Sequence, residues 1–204
     1  MKTDTQAKYH HGNLKESLIE EALNMIEKDG ISSITLRELT KKLGTSRSAV
    51  YRHYSSKDEL IKAVIQAGFD KLDATVHPTL LGDANILDKL YNMGKAYMSF
   101  AMENPNLYRT IFGNEIQKER EESCDINDEN DAAGFHALVA LVIEAQESGL
   151  IQKDDAFMQS TVIWAMMHGL SNLLIDGHLH IQENIDELYE LTFKTLLRGI
   201  SLSE

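Results

Sequence analysis

The chain has 204 residues and a single cysteine, Cys124. One thiol excludes an intrachain disulfide framework and suits a reducing compartment, so the expected location is cytoplasmic. There are only two prolines, and useful alternation of apolar and polar residues is missing, which argues against strands and for helices. No apolar run approaches the ~20 residues needed to cross a bilayer. The opening MKTDTQAKYHHGN lacks the apolar centre of a signal peptide, so no membrane partner is expected. There is no glycine-rich phosphate loop, nucleophile elbow or clustered metal-ligand motif. His178-x-His180 with Asp176 reads as a polar loop after a helix, and Cys124 has no visible base partner. The expectation is therefore no catalytic residue, no metal and no cofactor.

What the chain does have is charge, unevenly spread. The net charge is -12, which at first argues against nucleic acid. Residues 1–62 carry 11 basic and 9 acidic side chains, and residues 31–62 carry 7 against 3. The acidic excess lies beyond residue 62. Partner electrostatics follow the local face rather than the total, so a small basic segment on an acidic body fits a nucleic-acid reader with a second task elsewhere.

Helical spacing organises the rest. Asn13 with Glu16 resembles a capping box, and Leu14, Leu18, Ala22, Met25 and Ile26 form one stripe up to Gly30. A short helix is predicted over about 35–43, stopped at Gly44, and another over 46–54. Ser56 with Glu59 opens a helix through Phe69. Val76 to Asp83 reads as a break. Further helices are predicted at about 84–103, 105–117, 132–149, 154–176 and 185–201. The charged stretch 118–131 reads as an exposed loop. The fold class is all-α, with a helix-turn-helix domain over 1–66 and a second helical domain over 67–204.

Two short helices joined at Leu43-Gly44-Thr45 form a helix-turn-helix, whose second helix enters the major groove. On a wheel, Arg47, Ser48, Tyr51 and Arg52 share one arc, while Ser46, Ala49, Val50, His53 and Tyr54 share the other. Arg47 and Arg52 can donate bidentately to guanine, and Ser48 can bond to several base edges. Tyr51 and Lys57 lie nearer the groove edge, where donors meet phosphates. Arg37, near a helix start, is a further phosphate candidate. The competing reading is a solvated amphipathic helix in an ordinary bundle.

The segment LTKKLGTSRSAVYRHYSSKDELIKAV, 39–64, resembles the DNA-binding region of the TetR family of repressors. The match rests on Leu43-Gly44, Tyr51-x-His53-Tyr54, Lys57 and Glu59-Leu60, with Gly30 and Ile34-Thr35 before them. The resemblance implies phosphate contacts from Tyr51, Lys57 and the Thr35–Arg37 region. It implies base reading over Thr45, Ser46, Arg47, Ser48, Ala49 and Arg52, with His53 inside the motif. YHHGNL at 9–14 and Trp164-x-x-x-His168-Gly169 resemble a subgroup of the same family, as does NPNLYRTIFG at 104–113.

A reader of this kind normally spans two half-sites as a symmetric dimer about 34 Å apart. The resemblance implies a homodimer on double-stranded operator DNA, joined through the last two helices. These carry Phe157, Val162, Leu173 and neighbours, then Leu188, Leu191, Leu196 and Leu197; plain intrachain core is the alternative. Candidate pocket residues are Met93, Tyr97, Phe100, Tyr108, Phe112, Phe135, Leu138, Trp164, Met167 and His168. Adaptable aromatic and methionine side chains suit an apolar pocket and an ordinary core alike. The resemblance implies a small-molecule effector, of unknown identity, that shifts the DNA-reading heads. The acidic half offers few inward cations, which favours an apolar or cationic effector over an anionic one. The function so read is a ligand-responsive repressor and not an enzyme. The alternative is an all-α small-molecule-binding enzyme whose helix-turn-helix match is accidental.

Overall fold

The computed structural model describes residues 13–113, 133–180 and 184–201, and their regular elements are all helical. The α-helices are α1 (Leu14–Asp29), α2 (Leu36–Lys42), α3 (Arg47–Val50), α4 (Lys57–Val76), α5 (Ile86–Glu103), α6 (Pro105–Phe112), α7 (Ala133–Glu147), α8 (Ala156–Ile175) and α9 (Ile185–Ile200), with short 3₁₀ turns at Ile31–Ser33 and His77–Leu80. The predicted acidic loop at 118–131 with Cys124, and the arm carrying His10 and His11, lie outside the described residues.

The chain packs as two compact units. One runs up to Gly68 and takes in the segment from Asn106 that carries most of α6. The other holds Phe69–Pro105 and the remainder. In the first unit α1 buries Leu18, Ala22, Met25 and Ile26, the stripe visible in the sequence. Leu39, Val50, Tyr54, Leu60 and Val64 close the same core. Full burial of each such side chain contributes about 1.5–3 kcal/mol before entropy is counted. Asn13 makes no side-chain cap bond, so the expected box at α1 is not formed. Thr35 does cap α2: its Oγ1 accepts from the Glu38 N–H at 3.1 Å. The α2–α3 turn passes through Gly44 at φ +59, a left-handed conformation that a Cβ would strain.

Part of the segment assigned from sequence to the effector half packs with the first unit instead. Asn106 Nδ2 donates to the Glu27 carbonyl at 3.0 Å. A Cβ on Gly68 would lie 2.6 Å from Ile111 Cγ2 and 3.1 Å from Leu107 Cδ1. α4 and α6 thus meet at a point where only glycine fits. Tyr108 is fully buried in this unit, with the Phe112 ring 4.9 Å away. Both were pocket candidates from sequence; they belong to this unit, where the backbone notch at Gly68 lets α6 settle on α4, and the other candidates belong to the second.

The second unit is built around α5, which packs against α7 and α8. Tyr189 of α9 is buried and donates to the Tyr91 carbonyl at 2.5 Å. Tyr91 meets the rings of Tyr189 and Phe193 edge-on at 4.9 and 5.1 Å and donates its hydroxyl to Glu190 at 2.7 Å. That bond to Glu190, with burial and the nearby acids, pushes the Tyr91 phenol up to about 12. Lys95 pairs with Asp186 at 2.9 Å. The end of α9 is held by Gln152, whose N–H donates to the Ile200 carbonyl at 2.7 Å and whose Nε2 donates to the Ser201 carbonyl at 2.6 Å. Leu196, chosen from sequence as an interface residue, is buried within the single chain, whereas Leu191 is exposed.

Candidate DNA-reading face and effector site

α3 is four residues long, shorter than the predicted 46–54. Its N-cap is Ser46, whose Oγ accepts from the Ala49 N–H at 3.2 Å and lies 2.9 Å from Ser48 Oγ. Helical bonding continues past Val50, as Tyr51 N–H reaches the Arg47 carbonyl and Tyr54 N–H the Val50 carbonyl. His53 N–H also turns to Val50 O, so the last turn tightens toward 3₁₀ geometry. Burial of Tyr54 draws that turn onto the core.

The result is an exposed run of Ser46, Arg47, Ser48, Tyr51, Arg52 and His53. Two placements differ from the wheel. Ser46 is exposed because a cap residue lies outside the helical register. His53 is exposed because regular helix ends before it. Ala49 is buried, at 5% exposed, on the side of the helix that packs against the core. Thr45 is half-buried and donates its N–H to the Thr40 carbonyl at 2.9 Å. Thr35 and Arg37 are exposed at the start of α2.

Lys57 is exposed as the first residue of α4. A cation at a helix N-terminus opposes the helix dipole, by about 0.3–1 kcal/mol. Asp58 and Glu59 in the same turn offset this, and an anion docked there reverses its sign. Around it lies a brace that sequence reading only half identified. Ser56 Oγ accepts from the Glu59 N–H at 3.0 Å, as a capping box requires. The Glu59 carboxylate, however, reaches one residue further back, to Ser55 N at 2.5 Å and Ser55 Oγ at 2.6 Å. Those two bonds hold its acid below the usual carboxylate range. The Ser-Ser pair four and three residues before Glu59 was the available signal. The brace fixes the turn between the exposed run and Lys57. A second tie missed from sequence is Lys42 to Glu21 at 2.6 Å, pinning α2 to α1.

In the second unit the pocket candidates separate. Met93, Phe100, Leu138 and Met167 are buried as core, Met167 in a cluster with Met98 and Tyr189. Tyr97, Phe135, Trp164 and His168 are only partly buried and converge from α5, α7 and α8. Trp164 Nε1 donates to Tyr97 Oη at 3.3 Å, and Tyr97 Oη lies 3.0 Å from His168 Nδ1. Phe135 meets Trp164 edge-on at 5.9 Å and Phe157 at 5.4 Å, and the Trp164 and His168 rings are 5.5 Å apart. Phe157 is the addition that sequence reading had placed only in the dimer helix. The Trp164-to-His168 spacing of four residues had signalled a shared face.

Burial holds the His168 imidazole below its usual range. The unfolded chain then takes up this proton first as pH falls through about 6.5. The His168 contribution is therefore full above that pH, declines below it, and stops declining under the folded-state value. Melting curves of wild type and His168→Gln, compared between pH 7.5 and 5.5, are expected to show the steeper loss in wild type. Parallel losses would refute the burial argument.

No helix among the described residues is long and apolar enough to cross a membrane, and no group of three metal-ligating side chains occurs among them.

Comparison with known proteins gives two family matches. Residues 18–64 match the bacterial regulatory proteins of the tetR family, and residues 90–196 match the tetracyclin repressor-like C-terminal domain. An HTH-type transcriptional regulator of Mycobacterium tuberculosis is 26% identical over 172 residues, 84% of this chain and 73% of that protein. The nucleoid occlusion factor SlmA of Vibrio campbellii is 27% identical over 114 residues, 55% of this chain and 58% of that protein. The chain thus spans little more than half the length of the SlmA proteins it matches. A Rhodococcus sp. RHA1 protein of unknown function has a solved structure with TM-score 0.82 and 28% identity, covering 97% of this chain and all of that one.

Proposed function

The chain belongs to the tetR family of DNA-binding transcriptional regulators, and we propose that it is a repressor, binding its operator as a homodimer and released by a small molecule held in the second unit. Members of this family are regulators and not enzymes, so the all-α enzyme reading falls away. The observation that carries the reading is the exposed, donor-rich run from Ser46 to His53, built on a capped helix and followed by Lys57. Arg47, Ser48 and Arg52 read bases. Tyr51, Lys57, Thr35 and Arg37 hold phosphates and set the register. The residues of the effector site are Tyr97, Phe135, Phe157, Trp164 and His168.

Release requires the effector to bind the DNA-incompetent arrangement more tightly than the competent one. The test is a mobility-shift titration with DNA flanking the protein's own gene, followed by footprinting. Two protected half-sites about 34 Å apart are expected. Transcription from that promoter should rise when the gene is deleted. Equal binding to random duplex, or transcription that falls on deletion, would overturn the repressor reading.

A further inference from the structure

Tyr54 follows directly on the exposed run of the DNA-reading unit, and its hydroxyl is a polar atom that the fold leaves unmet. The side chain is 3% exposed and closes the core, but the hydroxyl oxygen is buried without a hydrogen-bond partner. A phenylalanine fills the same space without that cost, since an orphaned buried hydroxyl destabilises the fold. Burial first, and then the charge of Glu59, push the phenol above its usual range. The group is therefore a neutral O–H donor that lacks an acceptor.

Its neighbours decide which acceptor can serve. The oxygen is closed to solvent, so a DNA phosphate does not reach it directly. Lys15 of α1 stands with Nζ 5.9 Å over the Tyr54 ring, and an ammonium only donates. Glu59 is the acceptor whose charge Tyr54 feels, and Glu59 in turn feels Lys15. Its carboxylate is engaged at the head of α4, where Ser55 N–H and Ser55 Oγ donate to it at 2.5 and 2.6 Å. Ser55, Ser56 and Lys57 are all exposed on the turn after the DNA-reading run. The Ser55 donors are thus those that a phosphate at the positive end of α4 would take. A phosphate and the Glu59 carboxylate compete for them and repel each other. If Glu59 turns to the Tyr54 O–H, every donor is met: Ser55 N–H and Oγ–H on the phosphate, and the Tyr54 hydroxyl on Glu59.

We propose that Ser55 is a further phosphate contact of the DNA-reading face, opened when the Glu59 carboxylate moves from Ser55 to the buried Tyr54 hydroxyl, with Tyr54 the positioning residue that receives it. This rests on the reading above that a phosphate docks beside Lys57.

The test compares the full chain with its Tyr54→Phe, Ser55→Ala and doubly substituted variants. Each is melted without DNA and titrated with DNA flanking the protein's own gene and with a mixed-sequence duplex, across a salt series. Tyr54→Phe should raise the melting temperature by about 2 °C or more, because it removes an unmet hydroxyl. It should at the same time weaken binding to both duplexes by about 5-fold or more, because the displaced carboxylate loses its acceptor site. Higher stability with weaker binding is a split that a merely structural role would not produce. Ser55→Ala should weaken both duplexes as well, and the double variant should lose less than the two single losses combined, since both remove one exchange. None of these variants removes a cation, so the salt slope should hold, whereas Lys57→Ala should lower it. A melting temperature of Tyr54→Phe that is unchanged or lower, DNA binding by that variant equal to wild type, or fully additive losses in the double variant, would each overturn the proposal. The Tyr54→Phe split together with an unchanged salt slope for Lys57→Ala supports the exchange and sinks the Lys57 reading instead, so the two failures are distinguishable.

Discussion

Placing a carboxylate on the outward face of α8, as in Val162→Glu, is expected to turn the protein into a monomer and abolish specific DNA binding. The face is defined by exposure. Met158, Val162 and Leu173 are 60, 57 and 44% exposed, and Ala165 and Gly169 between them are exposed as well. The spacing 158, 162, 165, 169, 173 follows one side of the helix. The opposite side, Ser160, Ile163, Met167 and Ser171, is buried in the chain's own core. An apolar side left exposed among the described residues fits an interface, and small residues at its middle let helix axes approach closely. In a twofold dimer each residue of this patch meets the same patch on the partner. A buried Glu would face its own copy or apolar surface, and an uncompensated buried charge costs about 3–5 kcal/mol. Dimer dissociation should therefore strengthen by at least about 100-fold. Leu191→Glu on α9, 60% exposed, is expected to act in the same direction. Because both positions are exposed in the single chain, circular dichroism should be unchanged. Leu196, at 8% exposed, cannot serve in this test, since charging it would damage the core of each chain. Sedimentation showing Val162→Glu still dimeric and still bound to its operator would move the interface elsewhere.

Arg47→Ala is expected to cost about 1–3 kcal/mol for each half-site and to relax preference at one base position. A dimer presents the residue twice, so the loss on a palindromic operator should reach about 30-fold or more. Ser46 supplies the reason for so local an effect: it caps the four-residue helix and so holds the first turn, where Arg47 sits, in place. Lys57→Ala should behave differently. It removes a charge aimed at a phosphate, so specific and random DNA should weaken alike, and the salt slope should drop by about one per half-site. Removing a cation from the first turn of α4 should also leave stability unchanged or slightly raised. Affinities on operator and random duplex, each measured across a salt series, distinguish the two variants. Equal losses of Arg47→Ala on both duplexes would remove it from base reading.

These assignments were legible to different degrees. The α1 stripe, the break at Gly44 and the cap at Ser56 were readable because each depends on chemistry within four residues along the chain. That Arg47, Ser48, Tyr51 and Arg52 share one exposed side was readable for the same reason. Ser46 and His53 were placed on the wrong side because a wheel assumes regular helix, and here regular helix spans only Arg47–Val50.

The sequence by itself determined an all-helical chain, a basic helix-turn-helix at one end and an acidic apolar-helix body at the other, since local periodicity and charge carry that information. Tertiary structure alone decided which apolar face goes where. α8 is apolar nearly all round, so periodicity assigns it no direction. Only packing against α5 and α7 separates Ile163 and Met167, which are core, from Val162 and Leu173, which are outward, and from Trp164 and His168, which turn toward Tyr97 and Phe135. α6 joins the DNA-reading unit through the space left at Gly68. That depends on the absence of one methyl group 39 residues before Leu107 in the chain, a distance at which no local pattern reports contact.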